Sequence, residues 1–472
     1  MNAVHGVITC DKSILKEIQD YFTFTVPEAK FTPAYRNKLW DGKIRLVSLK
    51  DRKIYIGLLD SLAEFAKDRN YTLAVHKTDT FDSVSEEEVR EFIKGLGLPH
   101  EVRDYQFKIL MKAFNNRRHV FVSPTASGKS LNIYIMTRWF LESGKKVLII
   151  VPTINLVTQL ESDFREYGHT HDNVHKIFGG EDKNTDSDIV ISTWQSLVKL
   201  PEEWFQKFSV VINDEVHLAK SKSLMSILGK TTNSFDRFGF TGTIDNKNVN
   251  SMILTGLFGP IEKVITTAEL IEQEYLSKLH INCIMFKYPD EIRKGMRQYT
   301  YPEEIEFISS YAPRNRMIQK LSMKLKGTVL ILFRLIDKQG KLLHEMYKDT
   351  DRPIHYIDGS VDGEEREDLR QIVKTQKDPI ILGSIGTVST GVNIPQIDHI
   401  IFASPSKSRI RSLQSIGRGL RKTNDKYKCT LWDLSDDLSW KAHKNFTLKH
   451  FSERIEIYNE QQFPYKITTT NL

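Results

Sequence analysis

"FVSPTASGKS", Phe121 to Ser130, is the stretch whose reading decides the fold. It lies between "RDYQFKILMKAFNNRRHV" and the helical run "LNIYIMTRWFLESG". An apolar strand, a tight turn ending in Gly128-Lys129-Ser130, and then a helix make the setting that a phosphate-binding loop requires. Pro124, Thr125, Ala126, Ser127 and Gly128 form the turn. Its backbone N–H groups and the helix N-terminus would hold phosphate. Lys129 would reach the outer phosphates, and Ser130 would hold Mg2+. Ser123 stands where the pattern usually opens on Gly or Ala, and it is small enough for the loop to close.

Outward from this loop, short apolar runs alternate with amphipathic stretches. "HVFVS", "KVLIIVP", "DIVIST", "VVINDE" and "RFGFTGT" come first; "LHINCIMF", "GTVLILF", "PIHYIDG", "DPIILGS", "HIIFAS" and "KCTLWDL" follow after Leu279. Unbroken Val/Ile runs separated by helices predict parallel sheets covered on both faces. Two α/β domains in tandem, 86–265 and 266–440, are therefore expected. Residues 1–85 mix short alternating runs ("KIRLVSL", "KIYIGLL", "YTLAVHK") with helical patterns ("KSILKEIQDYF", "SLAEFAKDRN"), a small α+β unit. Ser85 is placed to cap "SEEEVREFI", whose Glu run suits the positive helix end. Residues 441–472 read as a helix and a polar tail.

The carboxylates come next. "VVINDEVH" puts Asp214 and Glu215 at the end of an apolar strand, downstream of Lys129. Asp214 is the candidate Mg2+ ligand and Glu215 the group that polarises the attacking water. His217 is a candidate link between these carboxylates and the second domain. In "QSIGRGLRK", Gln414, Arg418 and Arg421 share one helical face. Arginines there are candidates to stabilise charge on a γ-phosphate, with ATP and Mg2+ as the implied cofactors.

Composition bounds the rest. The 472 residues carry 40% hydrophobic and 27% charged residues, which predicts two to four globular domains. No apolar run exceeds strand length, so no membrane partner is expected. The start "MNAVHGVITCDKS" has no signal-peptide pattern, and Cys10, Cys283 and Cys429 are scattered; a reducing cytoplasm is expected, the host's if the source is viral. The net charge of +7 suits a polyanionic partner. Lys30 to Lys53 holds eight Lys/Arg against two Asp, and Ile401 to His450 eleven against four. Within the first run, Arg36, Lys38, Trp40, Lys43 and Arg45 interleave charge with an aromatic surface. Trp40 reads either as a platform for an unpaired base or as core filling. His169, His171 and His175 read as a polar loop, because no Cys or carboxylate completes a ligand spacing. Phe333 and Phe402, at strand ends, read as core.

From Arg103 to Trp440 the ordered motifs resemble superfamily 2 helicases and translocases, which have two RecA-like domains. The resemblance makes "RDYQ" the adenine-reading motif, with Arg103 and Gln106. It makes "VPTINLVTQ" and "ISTWQSL" backbone contacts to nucleic acid, with Thr153, Thr193 and Gln195, and "FTGT" the coupling motif, with Thr241 and Thr243. "SIGTVSTGVNIP" contributes Thr387, Gly391 and Asn393, and "QSIGRGLR" completes the set. Gly242 and Asn393 depart from the commoner Ala and Asp; neither removes a group from hydrolysis, and the coupling between domains is what they touch. The N-terminal "YRNKLWDGKIRLVSLKDRKIYIG" further resembles phage recombination and repair DNA helicases. Such proteins act on branched DNA: Holliday junctions, stalled forks and R-loops. The implied partners are branched, duplex and single-stranded DNA, RNA within R-loops, and single-strand-binding or recombination proteins. An RNA helicase, the motor of a restriction-type system, and a scaffold without turnover are the alternatives. Strand ends rich in hydroxyls fit a grip on the phosphate backbone, which carries no sequence information.

Overall fold

The computed structural model describes residues 2–26, 29–76, 83–170, 173–218, 221–243, 248–361, 372–373, 375–391, 397–404, 420 and 428–472. The chain divides into two compact units, Met1–Ser123 with Gly128–Val264, and Pro124–Ser127 with Ile265–Leu472.

The first unit is built on seven strands: β6 (Arg118–Val122), β7 (Val147–Val151), β8 (Val174–Ile177), β9 (Ile189–Thr193), β10 (Val210–Asn213), β11 (Asp236–Thr241) and β12 (Ile261–Lys263). They lie in the order β12-β6-β11-β10-β7-β9-β8, and every pairing is parallel. Successive side chains of a strand point to opposite faces, so both faces need a cover. Val120, Leu148 and Ile150 enter one core, while Phe121, Val147, Ile149 and Val151 enter another. The second core is closed by the helices Asp104–Asn116, Lys129–Glu142 and Ile154–Glu166, through Phe114, Tyr134 and Phe164.

The first core runs on without a break into the N-terminal residues, where Phe22, Leu58 and Phe65 are buried with Phe258. Here β1 (His5–Val7), β4 (Val47–Ser48) and β5 (Lys53–Tyr55) pair antiparallel, as do β2 (Thr23–Thr25) and β3 (Lys43–Arg45). The helices Lys12–Tyr21 and Leu59–Asp68 stand where the sequence placed them. Gly57 packs so tightly on the helix Asn248–Phe258 that a Cβ would come within 2.0 Å of the Thr255 carbonyl oxygen. "YTLAVHK" was expected as a strand, yet Tyr71 to His76 pair with nothing regular. Tyr71 instead packs near Phe65 and donates its hydroxyl to Glu17, leaving Leu73 and Val75 exposed. Ser85 caps Glu86–Gly95 in a reciprocal box with Glu88, as the sequence predicts.

The second unit repeats the architecture with β13 (Lys278–Lys287), β14 (Val329–Phe333), β15 (Ile354–Ile357), β16 (Ile380–Ser384), β17 (His399–Phe402), β18 (Lys428–Asp437) and β19 (Tyr465–Asn471). Their order is β15-β16-β14-β17-β18-β13-β19, again all parallel. Phe333 and Phe402 are buried, as expected. The polar tail is a correction: Tyr465 to Asn471 form an edge strand on β13, because a run of Ile and Thr keeps β preference while staying polar enough for an exposed edge. The helix Phe446–Glu460 is bolted to β18 by Arg454, which donates to both carboxylate oxygens of Asp433 at 2.8 and 2.9 Å.

Candidate nucleotide and nucleic-acid site

The phosphate loop starts from a fixed point, since the Ser123 N–H donates to the Thr241 carbonyl on neighbouring β11 at 2.8 Å. The chain then turns through Ala126 and Gly128, with φ of 66° and 77°. Left-handed residues of this kind let a loop curl its N–H groups toward one point, a cradle for an anion. Pro124 accepts from the Ser127 N–H at 3.2 Å, and Lys129–Glu142 then opens with its first-turn N–H groups. Gly128 is needed twice, for its φ and for space: a Cβ would lie 2.4 Å from Gln106 Nε2. Gln106 is buried, donating to the Gly128 carbonyl at 3.3 Å and accepting from the Arg103 N–H at 2.9 Å. The residue expected to read adenine thus also ties the loop to the capped start of Asp104–Asn116.

The carboxylate pair sits at the end of β10. The Asp214 N–H donates to the Ile150 carbonyl at 2.9 Å, and Glu215 takes a left-handed φ of 50°. Lys129 Nζ lies 3.6 Å from Glu215 Oε1 and 3.3 Å from the Ser123 carbonyl oxygen. Burial first, and the neighbouring Glu215 charge second, push the Asp214 carboxyl up to about 7, with Lys129 pulling the other way. A divalent cation held here would offset that cost and favour the ionised carboxylate. Ser130 adds a hydroxyl, 2.9 Å from the phenol of Tyr167. Loop, lysine, hydroxyl and two carboxylates together fit a nucleotide triphosphate with its Mg2+.

"FTGT" closes around the same group. Thr241 Oγ1 donates to the Thr243 carbonyl at 2.7 Å, so it accepts from His217 Nδ1 at 2.5 Å. His217 Nδ1 is also 3.4 Å from Glu215 Oε2, which accepts from the Gly242 N–H at 3.4 Å. Burial holds the His217 imidazole below its usual value, which favours the neutral ring. His217, Thr241 and Thr243 therefore meet at Glu215.

Of the expected nucleic-acid contacts, Thr153, Thr193 and Gln195 gather where β7 and β9 end side by side. Gln195 donates to the Pro152 carbonyl at 3.2 Å, Thr193 bonds Ser196 at 3.0 Å, and the Thr153 hydroxyl is buried. Thr387 sits after β16, its N–H donating to Ser384 Oγ at 3.3 Å. In the N-terminal region Arg36 and Lys38 are exposed, while Arg45 is paired with Asp41 at 2.5 Å. Trp40 matches neither simple reading: it is half-buried, with its indole N–H donating to the Lys43 carbonyl at 2.8 Å and Lys222 Nζ 5.4 Å from its ring centre. Leu39, next to it in the chain, is 81% exposed. The helix Ile385–Gly391 ends at Gly391; Asn393, Gln414, Arg418 and Arg421 lie outside the described residues. His175 stands in β8, not in a loop, and bonds the Asp182 carbonyl, while buried His169 bonds Asn173. His171 lies outside the described residues, and no metal-binding cluster occurs among those described. No helix among them is long and apolar enough to cross a membrane.

Two all-parallel sheets, the first carrying a phosphate loop beside a carboxylate pair, define a tandem RecA-like motor of the helicase class. Residues 99–246 match the model of the type III restriction enzyme res subunit, and 313–423 that of the helicase conserved C-terminal domain. Residues 2–76 match the N-terminal model of DNA helicase UvsW. The chain is 34% identical to the ATP-dependent DNA helicase uvsW of Enterobacteria phage T4, covering 99% of this chain and 98% of that one. The crystal structure of T4 UvsW matches with a TM-score of 0.53 over 100% of this chain and 98% of that one. A type ISP restriction-modification enzyme, LlaBIII bound to DNA, shares the fold at TM-score 0.57 and 16% identity, over 79% of this chain and 32% of its own. The chain belongs to the UvsW family of superfamily 2 helicases.

Proposed function

We propose that this chain is an ATP-driven DNA helicase that remodels branched DNA in phage recombination, replication and repair, migrating Holliday junctions, regressing forks and unwinding R-loops. The observation that carries the reading is the joining of Lys129, Asp214 and Glu215 at one loop, in a chain alike over its full length to a DNA helicase. Bound ATP·Mg2+ supplies the γ-phosphoryl group and the charge that neutralises it. Lys129 holds the outer phosphates, and Ser130 and Asp214 hold the metal. Glu215 orients the attacking water, with His217 and Gly242 fixing its second oxygen. Thr241 and Thr243, with His217, couple the state of Glu215 to movement. Arg418 and Arg421 are the proposed stabilisers of the developing charge, and Gln106 the adenine contact. Thr153, Thr193, Gln195 and Thr387 grip the phosphate backbone, while Arg36, Lys38, Trp40 and Lys43 hold the branch. DNA, with RNA only in R-loops, is the proposed substrate. The full-length likeness to UvsW supports that choice over an RNA helicase or a restriction motor.

Strand displacement tests it. A four-way DNA junction should resolve in the presence of ATP and Mg2+, and an all-RNA duplex of equal length should not. Unwinding of the RNA duplex alone would move the protein to the RNA helicases.

A further inference from the structure

We propose that Tyr167 is a positioning residue for Ser130: its phenol accepts the serine's hydrogen, fixes its rotamer and leaves the oxygen lone pairs for Mg2+. This deepens the nucleotide-site reading above and rests on it.

The Ser130 and Tyr167 oxygens are 2.9 Å apart, although the residues are 37 positions apart in sequence. Tyr167 has little freedom to move. It is 9% exposed, its ring lies 5.6 Å from that of Tyr134, and its N–H donates to the Asp163 carbonyl at 2.9 Å. It directly follows the helix Ile154–Glu166, so a fixed phenol meets a small, rotatable hydroxyl. A hydroxyl has one hydrogen and two acceptor lone pairs; giving the hydrogen to Tyr167 fixes where the lone pairs point. Outer partners that orient a metal ligand typically govern about 10–100-fold in metal affinity.

The test is binding of ADP carrying a fluorescent methylanthraniloyl group, with Mg2+ and with EDTA, to the full chain. Wild type should bind more tightly with Mg2+. Tyr167→Phe keeps the ring, and it should cut that Mg2+-dependent gain about tenfold while leaving binding in EDTA unchanged. In a Ser130→Ala background the same change should have no further effect, a coupling that simple loss of packing would not produce. An unchanged Mg2+ gain in Tyr167→Phe, or an equal loss in EDTA, would overturn the assignment while leaving the nucleotide site standing. A larger gain would overturn it too, since Tyr167 would then hold Ser130 away from the metal. Wild-type binding indifferent to Mg2+ would overturn the assignment as well, whereas no binding of the probe by wild type under either condition would bring down the nucleotide-site reading itself.

Discussion

Glu215 has one carboxylate oxygen 3.6 Å from Lys129, while the other faces His217 and the Gly242 N–H. Glu215→Gln preserves this shape and removes the charge that polarises water. Hydrolysis should fall about 10²–10⁴-fold with nucleotide affinity nearly unchanged, as single-turnover assays and equilibrium binding would read. Thr241→Val removes the hydroxyl that joins His217 to Thr243, and with it both of its buried hydrogen bonds. It should destabilise the first unit by about 1–3 kcal/mol, and unwinding should fall more than hydrolysis does. At this scale Lys129, Asp214 and Glu215 were legible because phosphate chemistry prescribes residue types at fixed spacings from strand ends. Tyr167 was not, because an aromatic at the end of an amphipathic helix reads as core until a contact across 37 residues is seen.

The strands were legible from their unbroken apolar runs, since a strand covered on both faces needs no alternation. β19 was not, because an edge strand is allowed to be polar and its Thr run carries little hydropathy signal. The loss of "YTLAVHK" as a strand has the opposite cause: alternation alone cannot supply a pairing partner. Two contacts between elements are predicted to govern stability. Gly57→Val would force a side chain into the Thr255 carbonyl of Asn248–Phe258, the helix that follows "FTGT". Overpacking of this kind costs about 1–3 kcal/mol, read as a lower denaturant midpoint, and should also weaken DNA-stimulated turnover. Arg454→Met would leave the fully buried Asp433 carboxylate without its cation, a loss of about 3–5 kcal/mol.

For the whole molecule, acidification should destabilise. His5, His119, His217, His280 and His399 are each held below the ordinary imidazole value, burial being the largest cause. An unfolded histidine titrates near about 6.5. Between that value and the lower folded ones the unfolded chain binds more protons, so this stability is present above about pH 6.5 and lost as pH falls through the folded values. Asp214, raised to about 7, works in the opposite sense, as one carboxyl against five imidazoles. The melting temperature at pH 5.5 should therefore lie below that at 7.5; equal or higher values at pH 5.5 would contradict this balance. The tandem architecture was legible because the two halves repeat one rhythm of strand and helix. The fusion of the N-terminal region to the first sheet through a common core was not, since composition shifts at that point while packing does not.

The most direct measurement is ATP hydrolysis by wild type and Lys129→Ala, with no nucleic acid, single-stranded DNA, a four-way DNA junction or a matched RNA. The account predicts strong stimulation by the DNA junction, lost by about 10²–10³-fold in the variant. Turnover that is absent under every condition, or that survives in Lys129→Ala, would contradict it.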